Sequence, residues 1–155
     1  MSALLMLLAV TAAKALSVVS DPLNGALTPK AIPGAKVDYT ISVTNGTLAK
    51  LDINTTVVTD AIPAQEKLCL ADLGLTGSGP IDFAPNLSAL TYGFTSLSNT
   101  GDDLDFSKDN GVTWTYSPVA DSDGCDAQVT NIRVKTHGKM TIAGVASVRF
   151  RVMIR

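Results

Sequence analysis

The chain of 155 residues is poor in charge: Asp, Glu, Lys and Arg make up 17% of it, and glutamate occurs once, as Glu66. Helix formers are scarce beyond the first fifteen residues, so no later segment predicts an α-helix. Lys and Arg total 12 against 14 acids, a net charge of -2. That balance excludes a nucleic-acid footprint, which needs clustered cations to displace phosphate counterions. Histidine occurs once, as His137, and there is no C-x-x-C pair, so a zinc site lacks ligands. No G-x-S-x-G nucleophile motif occurs, and His137 sits in a polar turn, Thr136-His137-Gly138-Lys139. The chain therefore reads as non-enzymatic; a deep pocket lined by His137 and a carboxylate would restore catalysis as a reading.

Long apolar runs are also missing, apart from residues 1–13, MSALLMLLAVTAA. That run is too short to span a bilayer, which takes about 20 residues. Ala13-Lys14-Ala15 follows it as an A-x-A cleavage pattern. Residues 1–15 read as a secretory signal peptide cut near Ala15/Leu16, leaving 16–155 as one domain with no membrane span. A retained apolar segment, acting as anchor or assembly helix, is the alternative. Export places the protein outside the cell or at its surface, where an even pair of cysteines, Cys69 and Cys125, closes a disulfide. Free buried thiols are the other reading.

What is present is period-two alternation. In residues 36–45, Val37, Tyr39, Ile41 and Val43 share one face, and Asp38, Thr40, Ser42 and Thr44 the other. In the last stretch Val148, Phe150, Val152 and Ile154 alternate with Arg149, Arg151, Met153 and Arg155. Further strands are expected at 16–20, 54–59, 67–71, 89–94, 112–117 and 129–135, separated by Gly, Pro and Asn-Gly breakers. Eight to ten short strands without a helix indicate an antiparallel β-sandwich of immunoglobulin-like type. The Gly- and Pro-rich stretch 73–86 reads as a long end loop. Seven Asp lie between Asp102 and Asp126, and six basic residues with no acid follow from Arg133. This asymmetry reads as ordinary solvated faces or as head-to-tail attraction between copies.

Two segments resemble a known family. Pro33-Gly34-Ala35-Lys36-Val37-Asp38-Tyr39-Thr40-Ile41-Ser42-Val43-Thr44-Asn45, followed by Val57-Val58-Thr59-Asp60-Ala61-Ile62-Pro63, is similar to the signature of the conserved-repeat Ig-like domain of bacterial and archaeal surface proteins, a domain of unknown function. Residues 106–116 and 129–134 look like the C-terminal half of exported single-domain relatives. The resemblance implies a sandwich fold and a bacterial or archaeal cell-surface setting. It implies no catalytic motif. The chain departs from the pattern after Asn45, where Gly46 follows at once, which leaves the register of 45–55 open.

Three local patterns bear on chemistry. Ser107, Asp109, Gly111, Thr113 and Trp114 match the Asp-box S-x-D-x-G-x-T-W, in which the carboxylate gathers turn amides and the ring packs beneath; its expected role is structural, with glycan contact as the alternative. Asp121-Ser122-Asp123-Gly124 resembles the start of a calcium loop, but position 12 is Ile132 instead of the bidentate Glu that an EF-hand requires. An irregular Ca²⁺ site drawing on Asp102, Asp103 or Asp105 stays open beside a solvated acidic loop; no other cofactor is implied. Asn45, Asn54 and Asn86 head glycosylation sequons by pattern.

Two functional readings follow. The first is a secreted or cell-surface structural protein that self-associates, as the subunit of an extracellular filament, by lending an N-terminal strand carrying Leu16, Val18 and Val19 to a neighbour's sheet. The second is an adhesin or glycan-binding module that uses the end loops 73–86 and 101–110.

Overall fold

The computed structural model describes residues 9–155. They form nine β-strands and no helix: β1 (Val10–Ser20), β2 (Lys36–Asn45), β3 (Val57–Ala61), β4 (Glu66–Cys69), β5 (Ile81–Ala84), β6 (Leu104–Ser107), β7 (Cys125–Asp126), β8 (Asn131–Lys135) and β9 (Val145–Ile154). All pairings are antiparallel. The larger sheet runs β1-β2-β9-β4-β7, with β5 also on β9, and the smaller runs β3-β8-β6. The all-β sandwich expected from alternation is what the chain forms. Met1–Leu8, the greater part of the expected signal peptide, lie outside the described residues, and the Ala15/Leu16 cut point falls inside β1.

β9 is the spine of the larger sheet. β2 pairs along its whole length, with Tyr39 opposite Phe150 and Val37 opposite Val152. Its other edge is shared by β4, where Leu68 faces Val152, and β5, where Ile81 faces Phe150. Ala146, Val148, Phe150 and Val152 are buried at alternate positions, as a sheet with one wet face requires. Val58, Leu104, Phe106, Ile132 and Val134 of the smaller sheet close the core from the opposite side. Cys69 and Cys125 lie opposite each other on β4 and β7 and are joined as a disulfide.

Several expected boundaries shift. β1 begins at Val10 instead of Leu16. β3 begins only at Val57, because Asn54 takes a positive φ of 59° and turns the chain. Residues 89–94 form no strand: Ala89 has φ 59°, which breaks the extension, and only Thr91 bridges to His137. Residues 112–117 form none either, because the Thr113 amide and hydroxyl are both taken by the Asp109 carboxylate; one backbone bond, from Tyr116 N to Phe106 O, ties the segment to β6. Conversely, β5 lies within the expected loop 73–86 and β6 within the expected loop 101–110. Both alternate correctly, but their outer-face carboxylates disguise them. After β2 the chain leaves the sheet, and Asn45 holds the turn by donating from Nδ2 to the carbonyls of Ala49 and Thr141, each at 2.9 Å.

Candidate functional site

β1 is the edge of the larger sheet and pairs only with β2, with Lys14 opposite Ile41, Leu16 opposite Tyr39 and Val18 opposite Val37. Residues directly opposite in a ladder point to the same face. Val10, Ala12, Lys14, Leu16 and Val18 therefore belong to the core side of the sheet. The smaller sheet ends at β3 and does not reach across β1. Leu16 is consequently 56% exposed on a face that is dry elsewhere. Of the three apolar residues expected in a donor strand, Leu16 and Val18 share this face, and Val18 packs against the core. Val19 sits in the register shift between Val18 and Ser20.

Lys14 is the odd member of that stripe. Its Nζ contacts Asp60 Oδ2 across the gap between the sheets and lies 4.2 Å above the Tyr39 ring and 5.6 Å from that of Phe150. Asp60 occupies the inward parity of β3 and its loop, between buried Val58 and Ile62. On β4, Glu66 has the parity of fully buried Leu68. The Tyr39 hydroxyl donates to Glu66 Oε1 at 3.0 Å, and Glu66 Oε2 is buried without a hydrogen-bond partner. Burial, then the Glu66 and Asp60 carboxylates, push the Tyr39 hydroxyl up to about 12. Four polar side chains thus meet on the interior side of one corner of the sandwich. Sequence reading missed this cluster: Lys14 was absorbed by the cleavage pattern, and Asp60 is 46 residues away. The signal that could have found it was a charge at an inward position in each of β1, β3 and β4.

The outer face of the same sheet carries a charge ladder. Asp38 accepts from Arg151 Nε at 2.6 Å and Arg149 Nη1 at 2.7 Å, and Asp82 from Arg149 Nη2 at 2.7 Å. Burial pushes the Asp38 carboxyl up, but the two guanidiniums outweigh it and hold the group below its ordinary value. On the smaller sheet Arg133 and Lys135 bind Asp105. The acidic stretch and the basic C-terminal stretch therefore neutralise each other in part within one chain, which weakens the head-to-tail reading of their asymmetry.

The remaining sequence candidates fall elsewhere. In the Asp-box, Ser107 Oγ donates to Asp109 at 2.7 Å and accepts from Gly111 N at 2.9 Å; Thr113 gives Asp109 both its hydroxyl and its amide. These bonds, the Thr113 hydroxyl first, hold the Asp109 carboxyl down at about 2. Trp114 lies under Arg133, 4.5 Å from ring centre to guanidinium. Asp121 and Asp123 bind Lys67, and Asp102 accepts the amides of Thr95, Ser96 and Leu104. Among the described residues no three His, Cys, Asp or Glu side chains group as a metal site.

His137 does line a cleft with Asp102 and Asp103, of about 280 Å³, and its Nε2 lies 2.7 Å from Asp103 Oδ1. Lys135 and Thr136 also line it, and the Thr136 hydroxyl donates to the Thr56 carbonyl. A second cleft of about 330 Å³ lies between Leu75–Ser78 and β5, lined also by Phe83, Tyr92 and Phe94, and the Tyr92 hydroxyl is buried without a partner. The expected binding loop 101–110 fares differently: β6 buries all four of its residues, because Leu104 and Phe106 enter the core and Asp105 pairs with Arg133. Compared with protein-family models, with curated proteins and with solved structures, the chain matches none.

Proposed function

We propose that this is a non-enzymatic structural protein of the cell surface or extracellular space that self-associates into a filament by exchanging β1 between copies. The observation that carries the reading is the position of β1: it is held by a single ladder, its interior-facing side is largely uncovered, and the core is otherwise built from β2 to β9. Every contact that β1 makes in its own chain can be made by the β1 of a neighbour, so exchange conserves the contact energy. The connection 21–35 supplies the reach, about 50 Å if extended. It is a folded loop at rest, since Asp21 gathers the amides of Leu23, Asn24 and Lys30. Exchange along one direction is heterologous and gives an open chain when the rotation does not close. The bacterial or archaeal surface setting implied by the sequence resemblance fits this role, and the disulfide favours an oxidising compartment.

Light scattering after gel filtration, across protein concentration and salt, with negative-stain microscopy of the largest species, tests the reading. Filaments or a concentration-dependent ladder are expected. A strictly monomeric protein under all conditions would overturn it. The cleft beside β5 supports a second reading, a glycan-binding module, because aromatic walls and an unpaired tyrosine hydroxyl suit sugar faces and hydroxyls. A glycan array with Tyr92→Phe as control tests it, and loss of a specific signal in the variant is the expected result.

A further inference from the structure

We propose that Lys14 and Asp60 condense into an amide, an isopeptide crosslink that ties β1 to β3 across the two sheets. Alternation reserves the inward positions of these strands for apolar side chains, yet Lys14, Asp60, Glu66 and Tyr39 fill four of them and converge on one corner. The amine and the carboxyl are already in contact, with 35% and 19% of their side-chain surfaces exposed. Lys67 differs on the carboxylate side: its own side chain is 11% exposed, but its partners Asp121 and Asp123 are 40% and 50% exposed, against 19% for Asp60. A charge pair drawn in between sheets is at best neutral against apolar residues.

The step balances without a redox partner. Lys14 Nζ attacks Asp60 Cγ; a C–N bond forms, a Cγ–Oδ bond breaks, and one water leaves. A proton must pass from the amine to the departing oxygen. We assign that transfer to Glu66, the carboxyl joined to the same corner through the Tyr39 hydroxyl, whose other oxygen is buried and unpartnered. Tyr39 organises the corner, with Lys14 on its ring and Glu66 on its hydroxyl. Glu66 ends as it began, so it acts as a proton shuttle.

The inference does not rest on strand exchange. Within one chain the bond closes a loop; between copies that have exchanged β1, the same two atoms join neighbours. It does require that the working protein retain Lys14, which processing after Ala15 would remove. Intact mass of the reduced, denatured full chain is the test, followed by peptide mapping. The expected result is a chain lighter by one water, with the Lys14 and Asp60 peptides joined and trypsin blocked at Lys14. A ladder resistant to boiling detergent, lighter by one water per junction, also supports it. Lys14→Arg and Asp60→Ala are each expected to restore the full mass. Glu66→Gln, checked as folded by circular dichroism, is expected to show full mass at first and to lose water much more slowly. A chain that carries Lys14 at full mass overturns the proposal, as does a natural chain that starts after Lys14. A water lost elsewhere, such as by cyclisation at Asp123-Gly124, overturns it too.

Discussion

Opening the disulfide is expected to cost this protein a large part of its stability while leaving it folded at room temperature. The bridge spans 56 residues of sequence. Closing a loop of that size removes denatured-state entropy equivalent to about 4 kcal/mol. Cys125 is fully buried and Cys69 nearly so, so replacing both by alanine adds a small cavity, about 1 kcal/mol. A loss of about 5 kcal/mol falls at the lower end of the roughly 5–15 kcal/mol of a typical domain, and at about 2–4 °C per kcal/mol it lowers Tm by about 10–20 °C. Urea titration of the wild type, the reduced wild type and Cys69→Ala/Cys125→Ala measures it. The reduced protein is expected to sit about 1 kcal/mol above the double variant. Loosening is expected first near β7, which has only two residues paired to β4, and amide exchange at 119–126 reads that directly. A shift below about 1 kcal/mol on reduction, or thiols that react freely in the folded natural protein, would refute the reasoning.

Asp105→Ala is expected to destabilise by about 2 kcal/mol in urea titration, because it strands Arg133 and Lys135, whose one-third exposure (32% and 34%) tempers the cost; Asp105→Asn is expected to cost less. Asp109, held at about 2 against an ordinary 3.8, stabilises the fold fully above about pH 4, and that contribution disappears as pH falls through about 2. The gap in Tm between wild type and Asp109→Asn is therefore expected at pH 7 and absent below pH 2. Asn45→Asp puts a carboxylate against two carbonyls at a fully buried position and is expected to cost about 3 kcal/mol at pH 7. Because burial raises the new carboxyl, the penalty is expected to shrink toward pH 4 in thermal melts.

The strands that could be read directly are those whose wet face is polar by itself. β2 and β9 announce themselves because Val37, Tyr39 and Ile41, or Val148, Phe150 and Val152, alternate with residues that look solvated. β5 and β6 did not, for a single reason. Asp82 and Asp105 look like loop residues until Arg149 and Arg133 arrive from strands 67 and 28 residues away. Neutralisation of a carboxylate by a distant guanidinium is a tertiary event that local alternation does not contain. The disulfide was legible from the count of two, and the Asp-box from spacing, because both depend on few residues. The interior corner was not, because its members come from four strands and its lysine lies in an apolar N-terminal run.

Strand exchange and the proposed amide constrain each other, and the order of events follows. The ladder between β1 and β2 is reversible, built of cross-strand pairs worth about 0.2–1 kcal/mol each; the amide, once formed, is not. A chain whose own β1 reaches Asp60 first is locked as a monomer and withdrawn from assembly, whereas a chain that exchanges first is locked into the polymer. The ratio of locked monomer to ladder is then set by a race between amide formation and encounter, and it falls as protein concentration rises, because only encounter speeds up with concentration. Lys14→Arg keeps a cation beside Asp60 but cannot condense, so its filaments are expected to dissociate on dilution or in detergent while those of the wild type persist. Wild-type filaments that fall apart in boiling detergent as readily as those of Lys14→Arg would separate the two ideas, leaving exchange standing without the bond.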